Sequence, residues 1–206
     1  MGIFNPMTLG PLMDREWLDF KNTGSQSVPP FGVIEIAGAT NPRSGLVLLS
    51  CQRPGSTLRN LYAVNGPMTV AASGFGRCTF RPTFAKYTGS APAAYSCWGP
   101  TVDSFELTVN RPGFFATGLA LTSPTRMQVF PYPITQLIGK LDGDLDADNT
   151  ATMSVWASTP NTEADTSFNV TVYDWMLGAG ETNSSGKKVA AVWKGGGWYV
   201  TAAECE

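Results

Sequence analysis

Apolar and polar residues alternate along most of this chain with the period of a strand. In "SFNVTVYDW" (167–175), Phe168, Val170, Val172 and Asp174 share one face, and Asn169, Thr171, Tyr173 and Trp175 share the other. Successive side chains on a strand point to opposite sides, so this pattern predicts a strand. "FELTV" (105–109) sets Phe105, Leu107 and Val109 against Glu106 and Thr108 and predicts a half-solvated strand. "FGVIEIA" (31–37), "GFFATGLAL" (113–121), "RMQVFPY" (126–132), "ATMSVWA" (151–157), "KKVAAVW" (187–193) and "GWYVTAA" (197–203) predict further strands. "GLVLLSC" (45–51) is apolar almost throughout and follows the turn-forming "NPRSG", which predicts a buried strand. "LYAV" and "MTVAA" flank Asn65-Gly66, a pair suited to positive φ, and predict a hairpin. "KGGG" (194–197) predicts a second hairpin between the last two strands. Pro131 and Pro133 turn the end of "RMQVFPY" into an edge or an exit, because proline cannot donate to a ladder.

Two stretches break the pattern. Residues 1–20 form an N-terminal arm in this reading, with a short helix beginning at Pro11 and carrying Met13 and Trp17 four residues apart. Its apolar residues Ile3, Phe4, Met7, Leu9, Leu12 and Met13 are too few for a core of their own and need a surface to cover them, either their own domain or a neighbour. Residues 137–150, "LIGKLDGDLDADNT", are polar and aspartate-rich and read as an acidic linker. The expected organisation is mainly β: an arm (1–20), a β domain (21–136), the linker (137–150) and a small C-terminal β domain (151–206), each unit sandwich- or barrel-like.

Composition narrows the chemistry. The chain has 206 residues, enough for one domain or two small ones, with 22 glycines, 15 prolines and only 15% charged residues, a mixture that suits short strands and tight turns. Net charge is −2, so no nucleic-acid partner is expected, and no apolar run is long enough to span a membrane as a helix. The N-terminal sequence lacks the basic-then-apolar order of a secretory signal, so Cys51, Cys78, Cys97 and Cys205 are expected as reduced thiols. Histidine is absent. That removes the Ser-His-Asp and Cys-His mechanisms and the usual histidine-containing zinc sites.

The remaining candidates are carboxylates and aromatics. Asp142, Asp144, Asp146 and Asp148 alternate, but an EF-hand loop starting at Asp142 would need glycine at its sixth position and glutamate at its twelfth, where the chain has Ala147 and Met153. No metal and no cofactor are therefore expected. A glycosidase needs two acids facing one cleft, and nothing in the spacing of Asp103, Glu106, Glu163, Asp165 and Asp174 pairs them, so no enzyme is expected. Trp98 and Phe114 lie in "SCWGP" and "RPGFF", where a buried aromatic at a turn is the commoner outcome.

Several stretches taken in order resemble a family of uncharacterised proteins of tailed-phage and bacterial genomes: "FKNTGSQSVPPFGVIEIAG", "LYAVNGPMTVAASGFGRCTF", "SCWGP" with "FELTVNRPGFFATG", and "GKKVAAVWKGGGWYVTAAEC". The resemblance touches most of residues 17–205, while residues 1–16 and the aspartate string lie outside it. It implies a virion structural protein without catalysis and offers no active-site residues to carry over. The expectation is a capsid decoration or head-fibre protein whose partners are other virion proteins, the major capsid protein first. It would act as a homo-oligomer, with a trimer favoured because trimers match local threefold positions of a shell. Two alternatives stand beside it: a tail or tail-fibre component, and a carbohydrate-binding β module stacking sugars on Trp98, Trp193, Trp198 and Tyr199.

Overall fold

A computed structural model describes residues 17–40, 48–123, 125–147, 149–157, 164–174 and 181–204. Ile3, Phe4, Met7, Leu9, Leu12, Met13, the helix expected from Pro11, Asp148, Glu163, Trp175 and Cys205 lie outside the described residues. Those described are all β. The first five strands are β1 (Leu18–Asn22), β2 (Val33–Thr40), β3 (Leu48–Gln52), β4 (Tyr62–Asn65) and β5 (Phe75–Thr79). They close a barrel in the order β1-β3-β2-β4-β5, antiparallel except for the β1–β3 pair. Then come β6 (Thr83–Lys86), β7 (Cys97–Pro100), β8 (Leu107–Val109), β9 (Phe114–Thr122) and β10 (Thr125–Pro131), which form a sheet in the order β6-β10-β9-β7-β8. Its two edges meet just beyond β6, where Tyr87 bridges Leu107, so this middle sheet is nearly a barrel itself.

The last seven strands are β11 (Gln136–Leu141), β12 (Leu145–Asp146), β13 (Thr150–Trp156), β14 (Asp165–Tyr173), β15 (Thr182–Asn183), β16 (Lys188–Lys194) and β17 (Gly197–Ala203). Five of them close a second barrel in the order β11-β13-β14-β17-β16, with β14 and β17 parallel, while β12 pairs with β15. Numbered within the barrel, that is 1-2-3-5-4 with the third and fifth strands parallel, the order of an OB-type Greek key.

The second barrel follows directly from the alternation. Phe168, Val170 and Val172 of β14 point inward with Met153 and Val155 of β13 and Trp198 and Val200 of β17, all buried, while Asn169, Thr171 and Tyr173 point outward. The β16–β17 hairpin turns through Gly195 and Gly196 at φ of 59° and 97°, the left-handed pair that a two-residue hairpin requires. The first barrel is different. Ile34 and Ala63 face its small interior with Phe20, Cys51 and Cys78, whereas Val33, Tyr62 and Val64 on the opposite faces join the larger core of the middle sheet and second barrel. Strands buried on both sides read as continuous apolar runs, which explains "GVIEI" and "LYAV".

One loop ties the sheets together. Between β3 and β4, Pro54 accepts from the Asp103 N–H, Ser56 accepts from Asn169, Leu58 donates to Asn169, and Asn60 accepts from Ile134. Leu58 enters the common core, 4% exposed. The buried carboxylate of Glu35 organises this loop: Oε2 accepts from the Gly55 N–H at 3.0 Å, and Oε1 accepts from Gln52 Nε2 and Arg59 Nε, each at 3.3 Å.

Four expectations change. Residues 18–20 were expected in the arm, yet they begin β1 of the first barrel, with Phe20 fully buried. Residues 137–150 were expected as a linker, yet β11 belongs to the second barrel and Leu137, Leu141 and Leu145 are buried. The aspartates masked an alternation of leucines around Gly139. "MTVAA" forms no hairpin strand; Val70 makes only a single bridge to Val28, and β4 pairs instead with β2 and β5. Only Leu107–Val109 of "FELTV" is strand, with Leu107 buried and Val109 exposed. Residues 21–136 contain two sheet systems, a barrel and the middle sheet, and their core runs on into the C-terminal barrel without a break.

Two outcomes test this packing. An added Cβ at Gly139 would sit 2.2 Å from the Ser154 carbonyl oxygen, whereas one at Gly143 meets nothing within 4 Å. Gly139→Ala should cost at least about 1–3 kcal/mol in urea unfolding and Gly143→Ala less than about 0.5 kcal/mol; equal effects would contradict β11 as a barrel strand. The second concerns pH. Contact with the Cys78 thiol, then burial, push the Cys51 thiol well above its ordinary value. A raised folded value means that the native state holds its proton while the unfolded chain loses it. The contribution is full below the unfolded thiol value of about 8.5 and fades as pH rises beyond it, by up to roughly 1.4 kcal/mol per pH unit. Under reducing conditions the melting temperature should fall between pH 8.5 and 9.5, and Cys51→Ala should flatten that slope while lowering stability at pH 7.

Candidate functional site

Two surface features stand out. The first is a cleft of about 440 Å³ between the first and second barrels. One wall is Ile36–Gly38 of β2 with the 57–61 loop; the other is the outward face of β14 and the β16–β17 hairpin. Because β14 alternates, burying Val170 and Val172 obliges Thr171 and Tyr173 to face the cleft. Tyr173 is 40% exposed and Trp193 is 37% exposed. Both rings are braced from behind. Trp193 meets buried Trp198 edge-on at 5.2 Å, and Tyr173 lies beside Tyr199 at 5.3 Å. Tyr173 also covers Gly197 so closely that a Cβ there would come within 2.9 Å of its ring. Arg59 is the one charged side chain lining the cleft among the described residues.

The second feature is the outer face of β9 and β10. Phe115 and Phe130 are cross-strand partners, and with Leu119 and Leu121 they stay 36–50% exposed on one side of the sheet. Phe115 also stacks on Tyr132 at 4.3 Å. Beside them Arg126 lies between two rings, 4.4 Å from the Phe31 centroid and 5.9 Å from that of Phe84. Its Nε is buried with no hydrogen-bond partner among the described residues, so the rings supply its compensation. Phe31 holds a φ of 58°, an outlier for a bulky residue. The strain is fixed by two hydrogen bonds: its N–H donates to Gly66 in the first barrel and its carbonyl accepts from Lys86 in β6.

The aspartate string is knitted into the second barrel. Asp142 accepts from Ser154 Oγ at 2.8 Å, Asp144 accepts from the Ser185 N–H at 2.7 Å, and Asp146 accepts from Thr182 Oγ1. The bend at Asp142–Gly143 breaks the extended run, so the three carboxylates address three different donors rather than one face. No group of three or more acids or cysteines arranged to hold a metal ion occurs among the described residues. Cys51, Cys78 and Cys97 are free thiols.

The other candidates are now placed. Asp103 and Glu106 do reach one shallow depression, but each faces a cation: Asp103 pairs with Arg53 at 2.8 Å and Glu106 with Lys86 at 3.6 Å. Asp165 lies elsewhere and accepts from the Ser167 N–H. Trp98, expected as part of a stacking surface, is 1% exposed and packs edge-on against Tyr87 inside the middle sheet. Phe114 is likewise buried. Of the expected stacking set, Trp198 is also buried, 4% exposed, and braces the exposed Trp193, while Tyr199 lies beside Tyr173. Tyr173 and Arg59 were missed: Tyr173 was legible as the polar-face aromatic of β14, while Arg59 takes its place from a loop with no periodic signal.

Compared with protein-family models, curated proteins and solved structures, the chain matches none.

Millimolar calcium should leave the melting temperature unchanged, since each aspartate already serves a neighbouring donor. Asp144→Ala should lower stability by about 0.5–1.5 kcal/mol through the lost Ser185 contact. A calcium-dependent rise of several degrees that Asp144→Ala abolishes would overturn this assignment.

Proposed function

We propose that this chain is a non-enzymatic structural protein of a tailed-phage particle, a capsid decoration or head-fibre protein that acts as a homo-oligomer, with a trimer favoured. The observation that carries the assembly part is the apolar outer face of β9 and β10, where Phe115, Leu119, Leu121 and Phe130 are exposed together. Exposed apolar groups that cluster on one face mark association surfaces. The sequence of the arm, with Ile3, Phe4, Met7, Leu9, Leu12 and Met13, supplies a second apolar element for contact with the major capsid protein. The phage assignment rests on the resemblance of residues 17–205 described above.

Sedimentation equilibrium of the full chain should give a trimer mass, and Phe130→Glu should shift it toward monomer while the melting transition persists. Deleting residues 2–13 should abolish binding to purified capsid shells without unfolding the β sheets. A monomeric intact protein found only in tail fractions would overturn the decoration reading in favour of a tail component.

A further inference from the structure

We propose that the cleft between the two barrels binds an oligosaccharide bearing a carboxylate, independently of the assembly surface on the middle sheet. At about 440 Å³ it falls in the range of small-ligand clefts, roughly 300–1,000 Å³. Its lining offers two exposed rings, Tyr173 on β14 and Trp193 on β16, with β17 between them. A pyranose has one face made largely of C–H groups, and the negative face of an aromatic ring attracts that weakly positive surface. Two rings set one strand apart in one cleft suit separate sugars of a short chain. The rings are also fixed before any ligand arrives, Trp193 by Trp198 and Tyr173 by Gly197 and Tyr199. A fixed platform avoids the entropy of ordering it on binding.

Arg59 selects the charge. Its Nε is tied to buried Glu35, which orients the guanidinium, yet half of the side chain remains exposed at the cleft. Among the described residues Glu35 is its only side-chain hydrogen-bond acceptor, so the terminal amino groups can pair with a carboxylate of the ligand. Asn60 and Thr171 flank it with amide and hydroxyl groups suited to sugar hydroxyls. Among the described residues no carboxylate lines the cleft itself; that of Glu35 lies behind Arg59, 2% exposed and held by Gly55, Gln52 and Arg59. A nucleic-acid strand fits poorly, since a single cation does not make the positive groove that tracks its backbone.

The test uses the full chain with a tetrasaccharide of hexuronates, a neutral tetrasaccharide and an acidic hexapeptide as probes, followed by tryptophan fluorescence and calorimetry. The hexuronate should bind with a dissociation constant in the micromolar to low millimolar range and shift the tryptophan emission. Trp193→Ala should weaken it at least about tenfold. Arg59→Gln should weaken the hexuronate about tenfold and the neutral sugar less than about twofold. Gly38→Phe is the variant that keeps the result readable if Trp193→Ala unfolds, because a Cβ at Gly38 meets nothing within 4 Å and a ring there fills the cleft. It should retain the melting temperature and lose binding. Failure of both sugars to bind at about tenfold above that range, binding unaffected by Gly38→Phe, or tighter binding of the hexapeptide would each overturn the proposal. None of these readouts depends on oligomeric state or on capsid shells, so the assembly reading stands or falls separately.

Discussion

A single buried carboxylate sets the geometry between the barrels. Glu35 lies on β2 with 2% exposure, and burying a charge is costly unless donors surround it. Here Gly55, Gln52 and Arg59 supply those donors, and meeting that demand draws the 53–61 loop across the top of the first barrel. Once drawn there, the loop spends its own backbone groups on the other sheets, through Asp103, Asn169 and Ile134. The seam formed by these hydrogen bonds, the burial of Leu58 and the position of Arg59 all follow from this arrangement. Glu35 faces outward from the first barrel, toward the shared core side that Val33 also occupies, so it stabilises the junction rather than the barrel interior.

Much of the second barrel was legible because its strands are buried on one face only. β14 and β17 emerge from alternation, and their glycine-rich hairpin from turn chemistry. In the first barrel and middle sheet β2, β3, β4, β9 and β10 were legible as strands, whereas β1, β5, β6 and β7 were not, and the two sheets could not be told apart because two-sided burial erases the alternation that reports direction. β11 was missed for a different reason: charged Lys140 and the following aspartates outweighed the alternation of Leu137, Gly139 and Leu141. β12 and β15 have two residues each and carry no pattern at all. Of the cleft, the hairpin tryptophans could be picked out as aromatic, but their meeting with Arg59 depends on a contact between residues 24 apart on the first barrel, Glu35 and Arg59, and then on the seam.

The sheets also manage their edges. Two barrels are closed, and the middle sheet nearly so through the Tyr87–Leu107 bridge. In the three five-stranded sheets described, almost no run of unpaired backbone donors and acceptors is left to recruit a strand from another chain. Closed sheets leave side chains as the means of association, which is the weight the exposed apolar face of β9 and β10 carries in the proposed assembly. A contact of that kind would be reversible, since side-chain packing lacks the ladder of hydrogen bonds that makes strand addition persistent.

The parallel pairs in the two barrels have a consequence for the order in which the chain is made. β1 leaves the ribosome first among the strands but pairs with β3 and β5, so it waits through most of the first barrel's synthesis for its partners. In the second barrel the delay is reversed. β14 has one side paired by β13 early, while its other side stays open until β17 emerges from the exit tunnel. During that interval Val170 and Val172 lack the cover of Trp198 and Val200, and the outward edge of β14 is a bare ladder. Translation at roughly 5–20 residues per second makes this exposure last seconds. The open edge of β14 therefore lasts for as long as residues 174–196 take to follow it out of the tunnel.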